Sequence, residues 1–133
     1  EQAVGIYFIK PEISANKFLQ MTNFKSLFES DFYLRSGITI NINSKSTDHN
    51  ITFSEMDAAK KLALHIPLDI NKANKDDLIL INGIGEKTAT NIMELREQKV
   101  RFSKIEELMQ IRGIKEKRLA VFKKYLYVDE ASE

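Results

Sequence analysis

The chain has 133 residues, a formal net charge of +1, 43% hydrophobic residues and no cysteine. The lack of cysteine excludes disulfides and thiolate metal sites, and no apolar run reaches the roughly 18 to 20 residues of a membrane-spanning helix. This length suits one ordinary domain or two small ones.

The charge is distributed unevenly along the chain. Residues 1–68 carry seven basic and seven acidic side chains, whereas residues 69–128 carry thirteen basic and nine acidic ones. Residues 129–133 add three acids and form an acidic tail. Between Arg112 and Lys124 six cations stand against one acid. The C-terminal part is therefore a basic module, and its local field can attract a polyanion.

The N-terminal part is predicted to contain both strands and helices. Val4–Ile9 is rich in β-branched and aromatic residues, which predicts a strand, and residues 14–28 predict a helix. The clean alternation of Gly37–Asn43 predicts a half-buried strand. Residues 44–50 form a polar turn, and residues 51–53 return as the hairpin partner of that strand.

A further helix is predicted before the middle of the chain. Ser54 and Asp57 are spaced as an N-cap and its N3 residue, and Pro67 ends the apolar pattern that follows them. The domain boundary is accordingly placed at this proline. Residues 1–67 are predicted to form a mixed α/β domain and residues 68–128 an all-α domain, so the fold class is α+β.

The first half of the C-terminal domain is predicted to be a pair of helices. Asn74 and Asp77 are spaced as a capping box, which predicts a helix over 75–81. Residues 82–85 are too rich in glycine to continue it and predict a tight hairpin. A longer helix is predicted over 86–99.

The second half repeats this arrangement. Ser103 and Glu106 predict another capping box at the start of a third helix, followed by a hairpin at 111–114 and a fourth helix over 116–125. Six residues recur thirty positions later: Leu78, Ile81, Gly83, Ile84, Glu86 and Lys87 return as Leu108, Ile111, Gly113, Ile114, Glu116 and Lys117. This is an internal duplication, and the two helix pairs are expected to stack about a pseudo-twofold axis.

The repeated hairpin has the chemistry of a phosphate site. Its glycine lets a phosphate approach the backbone, and the following helix begins with unpaired N–H groups and a partial positive charge. The isoleucine after the glycine is expected to turn inward and anchor the hairpin. The candidate contacts to the two strands of a duplex are Gly83, Ile84, Gly85, Lys87, Thr88, Gly113, Ile114, Lys115, Lys117 and Arg118. Such binding is expected to ignore sequence and to weaken with salt.

These residues carry a resemblance to a known family. The pattern comprises Asp69, Ile70, Asn71, Ala73, Leu78, Ile81, Gly83, Ile84, Gly85, Ala89, Ile92, Arg96, Phe102, Leu108, Gly113 and Ile114. It resembles the tandem helix-hairpin-helix domain of bacterial ComEA-type competence DNA receptors. The resemblance implies binding of double-stranded DNA without catalysis and delivery to an uptake-channel protein in the membrane. It also implies a place outside the cytoplasm, either periplasmic or membrane-anchored, although the cysteine-free composition fits the cytoplasm as well.

The resemblance also implies roles for individual atoms. The amides of Gly83, Gly85 and Gly113 would face phosphates, with the nearby lysines and Arg118 adding charge. The hairpin carbonyls of Ile79, Ile81 and Ile84 would hold a monovalent cation. Asn82 departs from the family, which usually has proline there, and Lys115 replaces a glycine. The N-terminal half weakly resembles a small β-grasp domain.

Other functions are compatible with the same pattern. An extrinsic subunit of photosystem II resembles this fold without binding DNA, so a protein-protein interaction module is the main alternative. A targeting piece of a repair enzyme is a third. Arg96, Lys99 and Arg101 are either further DNA contacts or partners of a helix C-terminus. No catalytic constellation, cofactor site or metal-ligand spacing is recognised, and His49 and His65 lack partners at a useful spacing.

Overall fold

The computed structural model describes residues 13–22, 28–43 and 50–129. Contacts divide the chain into two compact units, Glu1–Met56 and Asp57–Glu133. The sequence predicts the boundary at Pro67, whereas this division places the helix Ala58–Ala63 in the C-terminal unit. The predicted strand Val4–Ile9 and most of the predicted turn at 44–50 lie outside the described residues. Among the helices that are described, none is long and apolar enough to cross a membrane.

The first helix of the N-terminal unit is shorter than the sequence predicts. Helix α1 spans Ala15–Met21, and the Ser14 hydroxyl caps it by accepting a hydrogen bond from the Lys17 N–H. Phe28 lies outside the helix because its N–H and its carbonyl both bond the side chain of Asn16, at 2.7 and 3.0 Å. A backbone held by a side chain in this way cannot also continue the helical ladder.

The predicted β-hairpin is confirmed. Strand β1 (Ile38–Asn43) pairs antiparallel with strand β2 (Asn50–Glu55), and Ile40 lies opposite Phe53. The Phe53 ring packs against those of Phe28 and Phe32, with ring centroids 5.4 and 5.0 Å away. The hairpin and the segment after α1 therefore share an aromatic cluster.

The predicted capping role of Ser54 is wrong. Ser54 belongs to β2 and pairs with Thr39, and the N-cap of the next helix is Asp57. The Asp57 carboxylate accepts a 2.8 Å hydrogen bond from the Lys60 N–H and begins helix α2 (Ala58–Ala63). Cross-strand pairing extends β2 beyond the point that the local cap signal indicates, so the helix starts later.

The C-terminal unit contains the two predicted helix pairs. After α2, its elements are strand β3 (Leu68–Asp69), helix α3 (Lys75–Ile79), helix α4 (Glu86–Lys99), a 3-10 helix (Ile105–Gln110), helix α5 (Glu116–Phe122) and strand β4 (Leu126–Tyr127). The Asn74–Asp77 capping box and the bounds of α4 are confirmed. Strands β3 and β4 pair in parallel, which the sequence does not predict, and join the segment before the first helix pair to the segment after the second.

Three helices differ from their predicted form. Helices α3 and α5 end at Ile79 and Phe122, before their predicted ends. The third element is a 3-10 helix, and the predicted Ser103–Glu106 capping box is absent: Lys104 occupies the N-cap, and the Ser103 N–H donates to Glu107. Glu107 lies there because Lys99 holds its carboxylate at 3.1 Å.

The duplication is visible in the core. Equivalent positions of the two copies are buried, namely Leu78 with Leu108, Ile81 with Ile111, Ile84 with Ile114, Ala89 with Leu119 and Ile92 with Phe122. Phe102, between the copies, is fully buried in the same cluster. The two helix pairs therefore share one hydrophobic core, and burial of apolar surface there stabilises both hairpins together.

Polar side chains fasten the segment before α3 to the rest of the unit. The Asn71 side chain accepts a hydrogen bond from the Phe102 N–H at 2.8 Å and donates to the Phe102 carbonyl at 3.0 Å. Arg96 donates to the carbonyls of Ile70 and Ala73, at 3.0 and 2.7 Å. Several residues of the family-like pattern thus have structural roles, and Arg96 is directed into the protein.

Glu107 is the most enclosed of the carboxylates whose pKa is shifted. Its side chain is 11% exposed. Desolvation, the largest single influence, raises the pKa of Glu107, but the hydrogen bond and charge of Lys99, with the N–H groups of Ser103 and Lys104, outweigh it. The net effect is a pKa below the ordinary value. The ionised form of Glu107 therefore stabilises the folded state.

The Glu107→Gln variant is expected to be less stable than the parent at pH 7 by about 1 kcal/mol, because it loses charge-assisted hydrogen bonds. A lowered folded-state pKa gives stability that is present above the unfolded value and lost as pH falls through the folded value. Urea unfolding at about pH 7 and about pH 3 measures both limits. The difference in free energy of unfolding between the variant and the parent should disappear at the lower pH. A Glu97→Gln control at an exposed position should differ from the parent at neither pH. An equal difference at both pH values would contradict the claim that the ionised Glu107 carboxylate stabilises the fold.

Candidate nucleic-acid interface

The two predicted hairpins are confirmed and have the same backbone geometry. Gly83 and Gly113 have φ angles of +92° and +91°, in the left-handed region that favours glycine. One residue later, the N–H of Ile84 donates to the Ile81 carbonyl at 2.9 Å, and the second copy has the equivalent bond at 3.0 Å. The duplicated sequence therefore folds into a duplicated turn.

The position two residues after each of these glycines has no such requirement. Gly85 has φ −91° and ψ 178°, and Lys115, its equivalent, has φ −116° and ψ 179°. A Cβ added at Gly85 would meet nothing within 4 Å. The fold would therefore accept a side chain at Gly85, and the substitution of Lys115 for the family's glycine leaves the turn intact.

The isoleucines of the hairpins contribute only main-chain atoms to the surface. The side chains of Ile84 and Ile114 are buried in the shared core, as predicted. Their N–H groups already close the turns. What the hairpins offer to a ligand is the exposed backbone around Asn82–Gly83, Gly85 and Gly113.

The helices that follow the hairpins begin without side-chain caps. Ser14, Asp57 and Asn74 cap α1, α2 and α3 with hydrogen bonds from their side chains. Within the described ranges, no side chain makes such a bond at Gly85 or Lys115. First-turn N–H groups without an internal partner are satisfied by water or by an external acceptor. The helix starts at the hairpins therefore resemble that of the 3-10 helix, which also has no side-chain cap, and differ from those of α1, α2 and α3.

Cations surround these helix starts. Lys87 in the first copy and Arg112, Lys115 and Lys117 in the second are exposed, and they have no acidic partner within 4.0 Å among the described residues. The half-buried Thr88 lies in the first turn of α4. The second hairpin thus has more side-chain charge, and the first has more uncovered backbone.

Arg118 differs from the other predicted contacts because its guanidinium is directed towards the protein. It donates to the Gly113 carbonyl at 3.1 Å and to the Gly83 carbonyl at 2.9 Å. It also lies over the Phe122 ring, 5.4 Å from the centroid. The sequence does not predict these contacts, since Gly83 lies 35 positions away.

The other basic residues considered as flanking contacts also have partners within the protein. Lys99 pairs with Glu107, and Arg101 donates to the Asp129 carbonyl at 3.1 Å. Together with Arg96, they stabilise the unit. Their positions give no support to a role as DNA contacts.

The proposed cation ligands are main-chain carbonyls of the first hairpin. The Ile81 carbonyl accepts the Ile84 N–H and keeps one lone pair. Within the described residues, the Ile79 and Ile84 carbonyls accept no backbone hydrogen bond outside the regular helices and strands. This arrangement is compatible with a monovalent cation, which stays a prediction. Within the described ranges, no group of three or more His, Cys, Asp or Glu side chains could hold a metal ion.

Comparison with known protein families supports the interpretation of this region as helices joined by hairpins. Comparison with curated proteins and with solved structures finds no match to the chain. Residues 65–127 match the helix-hairpin-helix motif family. The match spans both hairpins, the four helical elements around them and the closing strand pair. The C-terminal unit therefore contains a helix-hairpin-helix region.

Proposed function

We propose that the C-terminal unit binds double-stranded DNA through its sugar-phosphate backbone, without sequence preference and without catalysis. The observation that carries the proposal is the pair of turns with matching backbone geometry within the helix-hairpin-helix match, each exposed, without a side-chain cap and next to cations that have no acidic partner among the described residues. One hairpin would contact each strand of the duplex.

The two hairpins would hold phosphates in different ways. At the first, Gly85 leaves the backbone uncovered, so a phosphate can approach the N–H groups closely while Lys87 adds charge. At the second, Lys115 has a side chain where the first hairpin has a glycine, and its ammonium with that of Lys117 would supply the attraction. Contacts of both kinds position a protein on a duplex and carry no base information.

A salt titration tests the proposal. A fluorescent duplex of random sequence is titrated with the chain between about 50 and 200 mM salt, and log K is plotted against log salt. We expect a linear decrease with a slope of about −0.9 for each phosphate neutralised, and the same affinity for AT-rich and GC-rich duplexes. Absence of binding at the lowest salt would refute the proposal and favour the protein-protein interaction module.

A valine at Gly85 separates binding from stability. Valine adopts the extended backbone of this position readily, and its side chain would point into open space. We expect Gly85→Val to unfold in urea like the parent, within about 0.5 kcal/mol. Its affinity for duplex should fall about tenfold, because the methyl groups would occupy the place of a phosphate. Unchanged affinity would mean that phosphate does not contact this turn.

A finer proposal concerns the biological role. We propose that the chain takes part in DNA uptake by a bacterium, outside the cytoplasm, with a membrane uptake-channel protein as partner. This rests on the resemblance of residues 69–114 to ComEA-type receptors. Spheroplasts of the host with an intact cytoplasmic membrane test it: release of the chain into the medium or its degradation by added protease is the expected result, and full retention with full protection would contradict it.

A further inference from the structure

The two hairpins are connected by one arginine. Arg118, in the first turn of α5, places its Nη1 3.1 Å from the Gly113 carbonyl and its Nη2 2.9 Å from the Gly83 carbonyl. These carbonyls belong to the two left-handed glycines, one in each copy of the repeat. Among the hydrogen bonds of the described residues, no other joins one hairpin to the other.

The surroundings of Arg118 hold its guanidinium in this place. The ring of Phe122, which is 1% exposed, lies beneath it. A Cβ at Gly83 would lie 3.6 Å from Phe122 Cε1, and a Cβ at Gly113 would lie 3.6 Å from Arg118 Nη1. The two hairpins therefore pack against α5 at different points, the second near its first turn and the first near its last residue. The planar guanidinium of an arginine can donate to two carbonyls at once through its two terminal nitrogens. The ammonium of a lysine acts as a single point charge.

The contact breaks the symmetry of the repeat. Thirty positions earlier the first copy has Thr88, whose hydroxyl is too short to extend from α4 to both hairpins. One arginine thus serves both copies. Arg118 also differs from the neighbouring Lys115 and Lys117 in burial, since it is half-buried and they are exposed.

We propose that Arg118 is a positioning residue that fixes the separation of the two hairpins. The part of this inference that concerns DNA rests on the proposed function. When two sites are held at the spacing of two phosphates, the second contact becomes intramolecular and strengthens binding without any new contact. When the spacing is loose, that gain is reduced although all the phosphate-binding groups remain.

The first experiment needs no DNA. Amide hydrogen exchange is followed at Ile84 and Ile114, whose N–H groups close the two turns. In Arg118→Met and in Arg118→Lys, both amides should exchange several-fold faster, while amides in the middle of α4 keep the rate of the parent. Lys117→Met is the matched control and should change neither turn. Unchanged exchange at both turns in the two Arg118 variants would overturn the proposal.

The second experiment compares charge with geometry on duplex DNA. Arg118→Lys keeps the charge but loses the pair of donors that contacts both glycine carbonyls. Its affinity should therefore fall about tenfold, as in Arg118→Met. Lys60→Arg on α2, outside the hairpins, also exchanges one basic side chain for the other and should bind as the parent does. Full rescue by Arg118→Lys with unchanged exchange would show a simple phosphate contact and overturn the positioning role. If the parent itself fails to bind duplex, the proposed function fails, and the exchange data alone decide the role of Arg118.

Discussion

The double variant Lys115→Gln and Lys117→Gln is expected to bind duplex DNA about 50- to 100-fold more weakly near 0.1 M salt. Each of these exposed ammonium groups would neutralise one phosphate and release condensed counterions. Losing two such contacts should also reduce the slope of log K against log salt by about 1.8. The salt titration of the parent and of the variant gives both quantities.

A matched control removes the same charge elsewhere in the C-terminal unit. Lys60 and Lys61 lie on α2, outside the hairpins, and their replacement by glutamine lowers the net charge equally. This control should lower affinity by only a few-fold through the general field of the protein. An equal loss in both double variants would mean that overall charge, and not the second hairpin, governs binding.

Gly83→Val is expected to destabilise the C-terminal unit by about 2 kcal/mol. Gly83 has a φ angle of +92°, where a β-branched side chain is strained whatever space surrounds it. The added methyl groups would also meet Phe122, which lies 3.6 Å from the position of the Cβ. Urea unfolding measures the change.

The matched variant is Gly85→Val, two residues away in the same hairpin. Its φ of −91° suits valine and its Cβ meets nothing, so its stability should equal that of the parent within about 0.5 kcal/mol. A Gly83→Val variant as stable as the parent would show that the turn does not require a glycine at this left-handed position. A loss of stability in both variants would mean that a side chain at Gly85 also meets protein atoms and does not enter open space.

The elements that the sequence predicts correctly have local causes. The Asn74–Asp77 capping box, the bounds of α4 and the glycine turns depend on residues within a few positions of one another. The burial of equivalent isoleucines follows from the repeat itself, since a duplicated unit buries the same face twice. The positions of both hairpins could therefore be predicted without a structure.

The features that the sequence does not predict depend on distant partners. The Ser54 cap is a sound local signal, but pairing with Thr39 takes that residue into a strand. Arg118 has the appearance of one more DNA-facing cation until Gly83, 35 positions away, is placed beside it. Arg96 likewise contacts carbonyls that lie 23 and 26 positions away. Charge near a hairpin identifies a candidate contact, and only the fold shows which charges face outwards.

The central claim is that both hairpins touch the phosphates of a duplex. Amide chemical shifts of the isotope-labelled chain, recorded while a random-sequence duplex is added at low salt, test this most directly. The account predicts that the largest changes fall in residues 82–88 and 112–118, and that they disappear as salt is raised. Changes confined to residues 13–56, or to one hairpin alone, would contradict it.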